Sequence, residues 1–229
     1  MAKSDNATPY SATVYDEQVR RTIPYYNVFH EETFNLIKAL RLEPKLWLDT
    51  GCGTGTLAQK ALPLFPNTEF ILADPSPEML KTAKGKLAGA GGRVQFLEPS
   101  DTQNLPQKSL PNPQVITAIQ SHHYVSPRER AKATAVCFSL LASGGVYVTF
   151  ENIRPFTSRG VAAAKENWKR FQLSQGRAPV DVEEHLQRFD VDYHPITVEE
   201  HLLLLRKAGF STVEMLWYSC MQAGFYGVK

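Results

Sequence analysis

Short apolar runs alternate with amphipathic stretches along most of the chain. Residues 46–50 (LWLDT) form a compact apolar run that predicts a buried strand, and residues 56–65 (TLAQKALPLF) follow at helical spacing. Pro63 is expected to break the last turn of that helix. FILAD at 70–74 predicts a second strand, and 93–97 and 115–119 predict two more. Pro106, Pro111 and Pro113 mark the stretch between these last two as irregular.

Helix starts are written into the sequence as well. Ser76 is placed to cap a helix with Pro77 at its first position. Ser126-Pro127-Arg128-Glu129 and Thr197-Val198-Glu199-Glu200 both read S/T-x-x-E, in which hydroxyl and carboxylate satisfy each other's end of the first turn. The first helix should run to about Leu141, before the Gly144-Gly145 turn and the strand VYVTF; the second should end at Gly209. STVEMLWYS and MQAGFYGVK then read as a terminal antiparallel pair.

Strands alternating with helices predict an α/β fold, a Rossmann-like doubly wound, mostly parallel sheet of about seven strands with a terminal antiparallel strand. Two segments fall outside the alternation. Residues 1–42 predict a helical N-terminal arm, helical from about Asp16. Residues 153–195 carry Val161, Ala164, Trp168 and Phe171 at helical spacing, then Leu186 and Phe189, and predict a helical insertion over the sheet's edge. It is read either as a solvated helix pair or as a lid within a single domain of 1–229.

Composition narrows the classes. The chain has 229 residues, 25 basic against 23 acidic, for a net charge of +2, so no global field advertises nucleic-acid binding. Three scattered cysteines give neither a disulfide framework nor a CxxC metal pair. No apolar run approaches ~18 residues, so no membrane span is expected. The N-terminus lacks the apolar core of a signal peptide, and a cytoplasmic setting is the default.

The most informative stretch is Asp49-Thr50-Gly51-Cys52-Gly53-Thr54-Gly55, between the first strand and its helix. Glycines there permit positive φ and close approach of a ligand to the backbone. A dinucleotide fingerprint, G-x-G-x-x-G, would place its third glycine at position 56; here it comes one residue early, at Gly55, which disfavours a nicotinamide dehydrogenase.

LDTGCGTG resembles the first motif of the class I S-adenosylmethionine (SAM)-dependent methyltransferases, D/E-x-G-x-G-x-G. ADPSPEML, FLEPSDTQNLP, QSHHYVSPRER and LLASGGVYVTFE resemble that family's later motifs in the same order, in its small-molecule branch. The resemblance implies SAM as cofactor, S-adenosylhomocysteine as product and a small-molecule methyl acceptor. Asp74, beside Pro75, would accept from the ribose hydroxyls. Gly51, Cys52, Gly53 and Gly55 would admit the methionine and ribose, with Asp49 near the methionine amino group. Asp101, with Ser100 as a competitor, would take the adenine amino group, Thr102 would offer its backbone amide, and Met79 would pack on the ring. Gln120 would face the methyl-transfer region. His122 and His123 are the candidate general bases.

Tyr15 and Tyr25 fall in a stretch resembling the family's N-terminal arm, where tyrosines and an arginine (Arg20 or Arg21) lie against the methionine end. Trp168, Phe156 and Tyr193 are candidates to line the acceptor pocket. No metal site is expected. The oligomeric state is left open. Two further readings accompany the main one. One is a SAM-binding subunit without catalysis. The other is a carboxy-SAM-forming enzyme of tRNA modification, which Arg21-Thr22-Ile23-Pro24-Tyr25-Tyr26 partly resembles.

Overall fold

A computed structural model describes residues 6–229; the first five residues of the expected arm lie outside it. Seven strands form one sheet: β1 (Leu46–Thr50), β2 (Glu69–Ala73), β3 (Val94–Phe96), β4 (Val115–Ile119), β5 (Val146–Asn152), β6 (Thr212–Ser219) and β7 (Gln222–Val228). Their spatial order is β3-β2-β1-β4-β5-β7-β6. β1 to β5 pair in parallel, and β7 lies antiparallel between β5 and β6. The antiparallel strand is therefore inserted, and β3 and β6 are the edges.

Among the described residues eight α-helices connect and cover the strands: α1 (Tyr15–Thr22), α2 (Tyr26–Ala39), α3 (Thr56–Ala61), α4 (Pro77–Lys86), α5 (Pro127–Leu140), α6 (Ser158–Ser174), α7 (Pro179–Gln187) and α8 (Val198–Ala208). The expected caps form. Ser76 Oγ accepts from the Met79 amide, and both S/T-x-x-E sequences close as reciprocal capping boxes. α3 stops at Ala61, two residues before Pro63. No helix among the described residues is long and apolar enough to cross a membrane.

β4 and β5 are buried at every position, as expected of strands covered on both faces. Trp47 anchors the core on one side of β1, packed against Phe34, Phe65 and Phe70. Its ring nitrogen donates to Thr117 Oγ1 at 3.0 Å, so a fully buried indole leaves no donor unsatisfied.

The arm docks through Phe29, whose ring stacks on Phe150 at 4.8 Å and meets Trp217 edge-on at 5.2 Å. The insertion packs on this arm: α6 lies on α1 and α7, Trp168 Nε1 donates to Thr22 O at 2.6 Å, and Arg21 holds the carbonyls of Gln175 and Gly176. Besides the arm, α6 meets the turn of the β6–β7 hairpin at the sheet's edge, where Asn167 Nδ2 donates to Cys220 Sγ at 3.4 Å. A bridge between Ile153 and Ile196 closes the insertion at its stem.

Candidate functional site

Strand order reverses at β1, with β2 on one side and β4 on the other, so the crevice at the carboxyl ends of these strands is where such a sheet takes a ligand. A cavity of about 390 Å³ opens there, within the size range of small-molecule sites.

The turn after β1 shapes its floor. Gly51 has φ +73, and a Cβ there would sit 2.2 Å from Ser121 Oγ. Gly53 has φ +54, and a Cβ there would meet nothing within 4 Å, so its backbone faces open space. Gly55 caps α3 and lies against α4, away from the cavity. Asp74, at the end of β2, accepts from Gly53 N and Ser76 N, each at 2.9 Å, and faces the cavity. Burial raises its pKa, and those two amides oppose the rise. One carboxylate thus braces the glycine turn and borders the cavity.

Pro75, Met79, Asp101 and Thr102 form the far wall. Asp101 reaches the cavity; Ser100, its competitor, uses its amide on Asp74 O. Thr102 Oγ1 lies 2.6 Å from Thr50 Oγ1 and 3.0 Å from His122 Nε2. Tyr15 and Gln120 complete the near wall, and Gln120 holds φ +55, a conformation that costs about 1–3 kcal/mol without glycine. Asn6, Ala7 and Thr8 of the arm, with Tyr124, also border the cavity. Nothing in their residue types marked them in the sequence.

Asp49 and Cys52 sit behind the turn, on a small separate cavity shared with Tyr26 and His30. Asp49 Oδ1 accepts from Thr117 Oγ1 at 2.7 Å, while Oδ2 is buried without a partner. Burial pushes its pKa up to about 7, against the Thr117 hydrogen bond. Burial likewise pushes the Cys52 thiol well up, which favours the neutral thiol. Tyr25 is turned outward, 62% exposed, and the arm tyrosine behind the glycine turn is Tyr26. A one-residue shift in helix phase separates the two, because Tyr25 caps α2 in a left-handed conformation and Tyr26 begins it.

The two histidines differ. His122 borders the cavity, but both ring nitrogens are engaged, Nε2 with Thr102 and Nδ1 with the Tyr147 hydroxyl at 3.1 Å. Burial lowers its pKa to about 4, despite nearby Glu151. His123 does not reach the cavity; its Nδ1 lies 2.6 Å from Glu151 Oε2 and its Nε2 3.2 Å from Asn152 Nδ2. Glu151 also accepts from the backbone amides of His122 and His123, and it was missed in the sequence although an acid inside VYVTFEN is an anomaly. Arg130 Nε and Nη2 hold the carbonyls of His122 and His194.

Neither arginine of the arm faces the cavity: Arg21 is spent on the insertion, and Arg20 is exposed. Trp168, Phe156 and Tyr193 do not border it either; Phe156 is 65% exposed, and the other two are buried in the insertion's core. Among the described residues no cluster of His, Cys, Asp and Glu could hold a metal ion.

Comparison with known proteins agrees with this geometry. Residues 48–147 match the model of a methyltransferase domain. A carboxy-S-adenosyl-L-methionine synthase of Nautilia profundicola is 20% identical, over 90% of this chain and 86% of that protein. Human N-acetylserotonin methyltransferase, in complex with SAM, superposes with a TM-score of 0.61 at 16% identity, over 95% of this chain and 58% of that one. An O-methyltransferase family protein from Burkholderia thailandensis gives 0.60 at 16%, over 94% and 63%. The chain spans less than two thirds of the length of both structures. The fold is that of the class I SAM-dependent methyltransferases.

Proposed function

We propose that this chain, a class I SAM-dependent methyltransferase by fold and by the domain matched over residues 48–147, binds SAM in the cavity at the ends of β1, β2 and β4 and methylates a small-molecule acceptor. The carrying observation is Asp74, a buried carboxylate that is tied to the glycine turn and borders the cavity.

The residues present suit the cofactor. Asp74 would accept from the ribose hydroxyls, a charge-assisted contact. Gly51 and Gly53 would let the backbone approach, Met79 would pack on adenine, and Asp101 with the Thr102 amide would read its polar edge. Asp49 Oδ2 is an orphaned acceptor behind the turn, suited to the methionine ammonium, and Tyr15 separates its small cavity from the large one. When bound, SAM supplies an activated methyl for in-line displacement, so the protein's task is positioning and exclusion of water.

His122 and His123 serve this reading as positioning residues. Their ring nitrogens are committed to Thr102, Tyr147, Glu151 and Asn152, and they set the turn that carries Gln120 and Ser121. The acceptor then supplies its own nucleophile. The whole chain acts as one domain. Its compartment is the cytoplasm, consistent with three free cysteines, two of them buried.

Carboxy-SAM formation is the second reading, favoured by the relative from Nautilia profundicola. A carboxylate added at the methyl would call for a cation, and no Lys or Arg among the described residues borders the cavity. Calorimetric titration with SAM, with NAD as control, tests the first step: saturable binding of SAM alone is expected, and its absence ends the proposal. Incubation with SAM and prephenate, followed by mass analysis, then decides between the readings. A carboxylated product would replace methyl transfer; tight SAM binding with no methylated product in a metabolite extract would favour a binding subunit.

A further inference from the structure

A second cavity, of about 400 Å³, opens at the end of the sheet opposite the first. It lies between the loop from α2 to β1 and the loop from α3 to β2, at the amino ends of two parallel strands, so about 16 Å of β1 separates the two cavities. Thr68 Oγ1 donates to Pro44 O at 2.6 Å and Glu69 N to Lys45 O at 2.9 Å, which ties one loop to the other. Gln114 Oε1 takes the amides of Lys45 and Leu46 and fixes the chain as it enters β1.

The lining has an apolar part and a charged part. Leu42, Leu64, Phe65 and Pro66 give the apolar wall, and Leu64 is left 46% exposed on it. Lys38, Arg41 and Lys45 supply three cations against one acid, Glu43. None of these four side chains enters an ion pair with the described residues. All four are exposed, so an anion would meet the cations without first displacing a partner.

The backbone at Arg41 is an independent observation. α2 closes with Arg41 N donating to Lys38 O at 2.9 Å and Leu42 N to Ile37 O at 3.1 Å, a pair of bonds that calls for a left-handed residue just past the cap. Arg41 takes that conformation, with φ +53. Glycine closes the same bonds without the crowding of a Cβ, and α8 meets the same need with Gly209 at φ +113. A cation near the carboxyl end of a helix offsets its dipole, but Lys38 already does so from the last turn of α2. An arginine therefore holds a strained position, and its side chain lines the cavity.

We propose that this cavity is a second small-molecule site, which takes an anionic group (carboxylate, sulfonate or phosphate) carried on an aromatic or short aliphatic body. The anion lies among Lys38, Arg41 and Lys45, where the guanidinium can offer two parallel N–H groups. The apolar body lies on Leu64 and Phe65. The volume is within the range of small-molecule sites. The site does not depend on the methyl-transfer reading, since the cavity proposed for SAM is bordered by Asp74 and Asp101 and, among the described residues, by no Lys or Arg.

The test is calorimetric titration of the full chain, without SAM, with 2-naphthalenesulfonate. The neutral ring 2-naphthalenemethanol and the bare sulfate ion are the controls. Saturable binding of the sulfonate is expected, about tenfold tighter than either control, and weaker as salt rises from roughly 0.05 to roughly 0.5 M. Arg41→Gly should weaken the sulfonate about fivefold or more. The same variant should raise the melting temperature of the ligand-free chain by about 2 °C, because the strain leaves with the side chain. Lys38→Gln combined with Lys45→Gln, both at exposed positions, should weaken the sulfonate and leave the neutral ring unaffected. Anionic lipid carries the same chemistry, so vesicles of phosphatidylglycerol form the second arm, and no co-sedimentation with them is expected. No saturable binding, equal binding of the neutral ring, or unaltered binding in both variants would each overturn the proposal. An Arg41→Gly chain less stable than the parent would give the arginine a structural task and overturn it too. Co-sedimentation with the vesicles would assign the cations to a bilayer surface instead.

Discussion

His123 Nδ1 lies 2.6 Å from Glu151 Oε2, and both side chains are 1% exposed or less. The same carboxylate takes the amides of His122 and His123 and the hydroxyl of Thr149. Glu151→Gln keeps the shape but turns an NH2 group toward donors. Breaking such a buried arrangement should cost about 3 kcal/mol. Urea unfolding at neutral pH checks this; a variant as stable as the parent would show that the carboxylate is not what fixes the turn.

The pH dependence follows from burial. His30, His185 and His201 are lowered to about 3 and His122 to about 4, in each case chiefly by burial. Folded values below the ordinary 6.5 mean stability that is full above that pH and is lost as pH falls toward the folded values. Glu151, at about 2 against an ordinary 4.5, adds a further loss below pH 4.5. Asp49, raised to about 7, acts oppositely: its contribution is full below 3.8 and is lost as pH rises through about 7. Urea midpoints from pH 4 to 8 should therefore rise steeply on the acid side and level off near pH 7 to 8.

His185 gives this a specific check. Both its ring nitrogens are buried without partners, and its ring meets Trp168 edge-on at 4.9 Å. His185→Phe keeps a ring against the indole and removes both unsatisfied atoms. The variant should be at least as stable at pH 7.5 and should lose less stability at pH 5 than the parent. An unchanged acid limb would mean that His185 is hydrated rather than buried.

Asp74 carries the proposed cofactor site. Asp74→Ala should weaken SAM binding roughly ten- to a hundred-fold, the loss expected for one charge-assisted contact of about 1.5–3 kcal/mol. Because Gly53 N and Ser76 N also lose their acceptor, Asp74→Asn is the cleaner variant: it retains one oxygen and loses the charge. Calorimetry on folded protein, verified by circular dichroism, gives the answer. Unchanged affinity in both variants would displace the ribose from this carboxylate.

Local signals carried most of the fold. β4 falls on the expected residues, both capping boxes close, and α3 ends before Pro63, since strand burial, caps and proline act over a few neighbouring residues. The glycine turn and Asp74 were legible for the same reason. Long-range pairings were not. Nothing near Glu151 in sequence announces that it holds two backbone amides almost thirty residues away, and nothing near Trp168 shows that its acceptor is Thr22. Helix phase separated Tyr25 from Tyr26, and a single residue of phase is beyond what an apolar pattern resolves in an arm this short.

The arm itself is tied to the glycine turn through Asp16. Its Oδ1 accepts from Thr54 Oγ1 at 2.5 Å and Thr56 Oγ1 at 2.9 Å, and its Oδ2 from Lys86 Nζ at 2.5 Å. These hydrogen bonds hold its pKa down against partial burial. One carboxylate thus joins α1, the start of α3 and the end of α4, just ahead of the stretch in which Tyr26 and Phe29 enter the core. Asp16→Ala leaves Lys86 without its ion pair and frees α1 from the turn. Because the site is partly solvated, the global cost should be modest, about 1 kcal/mol. The local effect should be larger, since Tyr15 and residues 6–8 border the cavity and would be released with the arm. Limited proteolysis should then cut the arm before residue 26 faster than in the parent, and SAM should slow that cleavage. Asp16→Asn, which can still accept from the threonines, should restore part of the protection. Equal cleavage rates in parent and Asp16→Ala would assign the arm's hold to Trp168 and Phe29 instead, and would remove Asp16 from any role in closing the cavity.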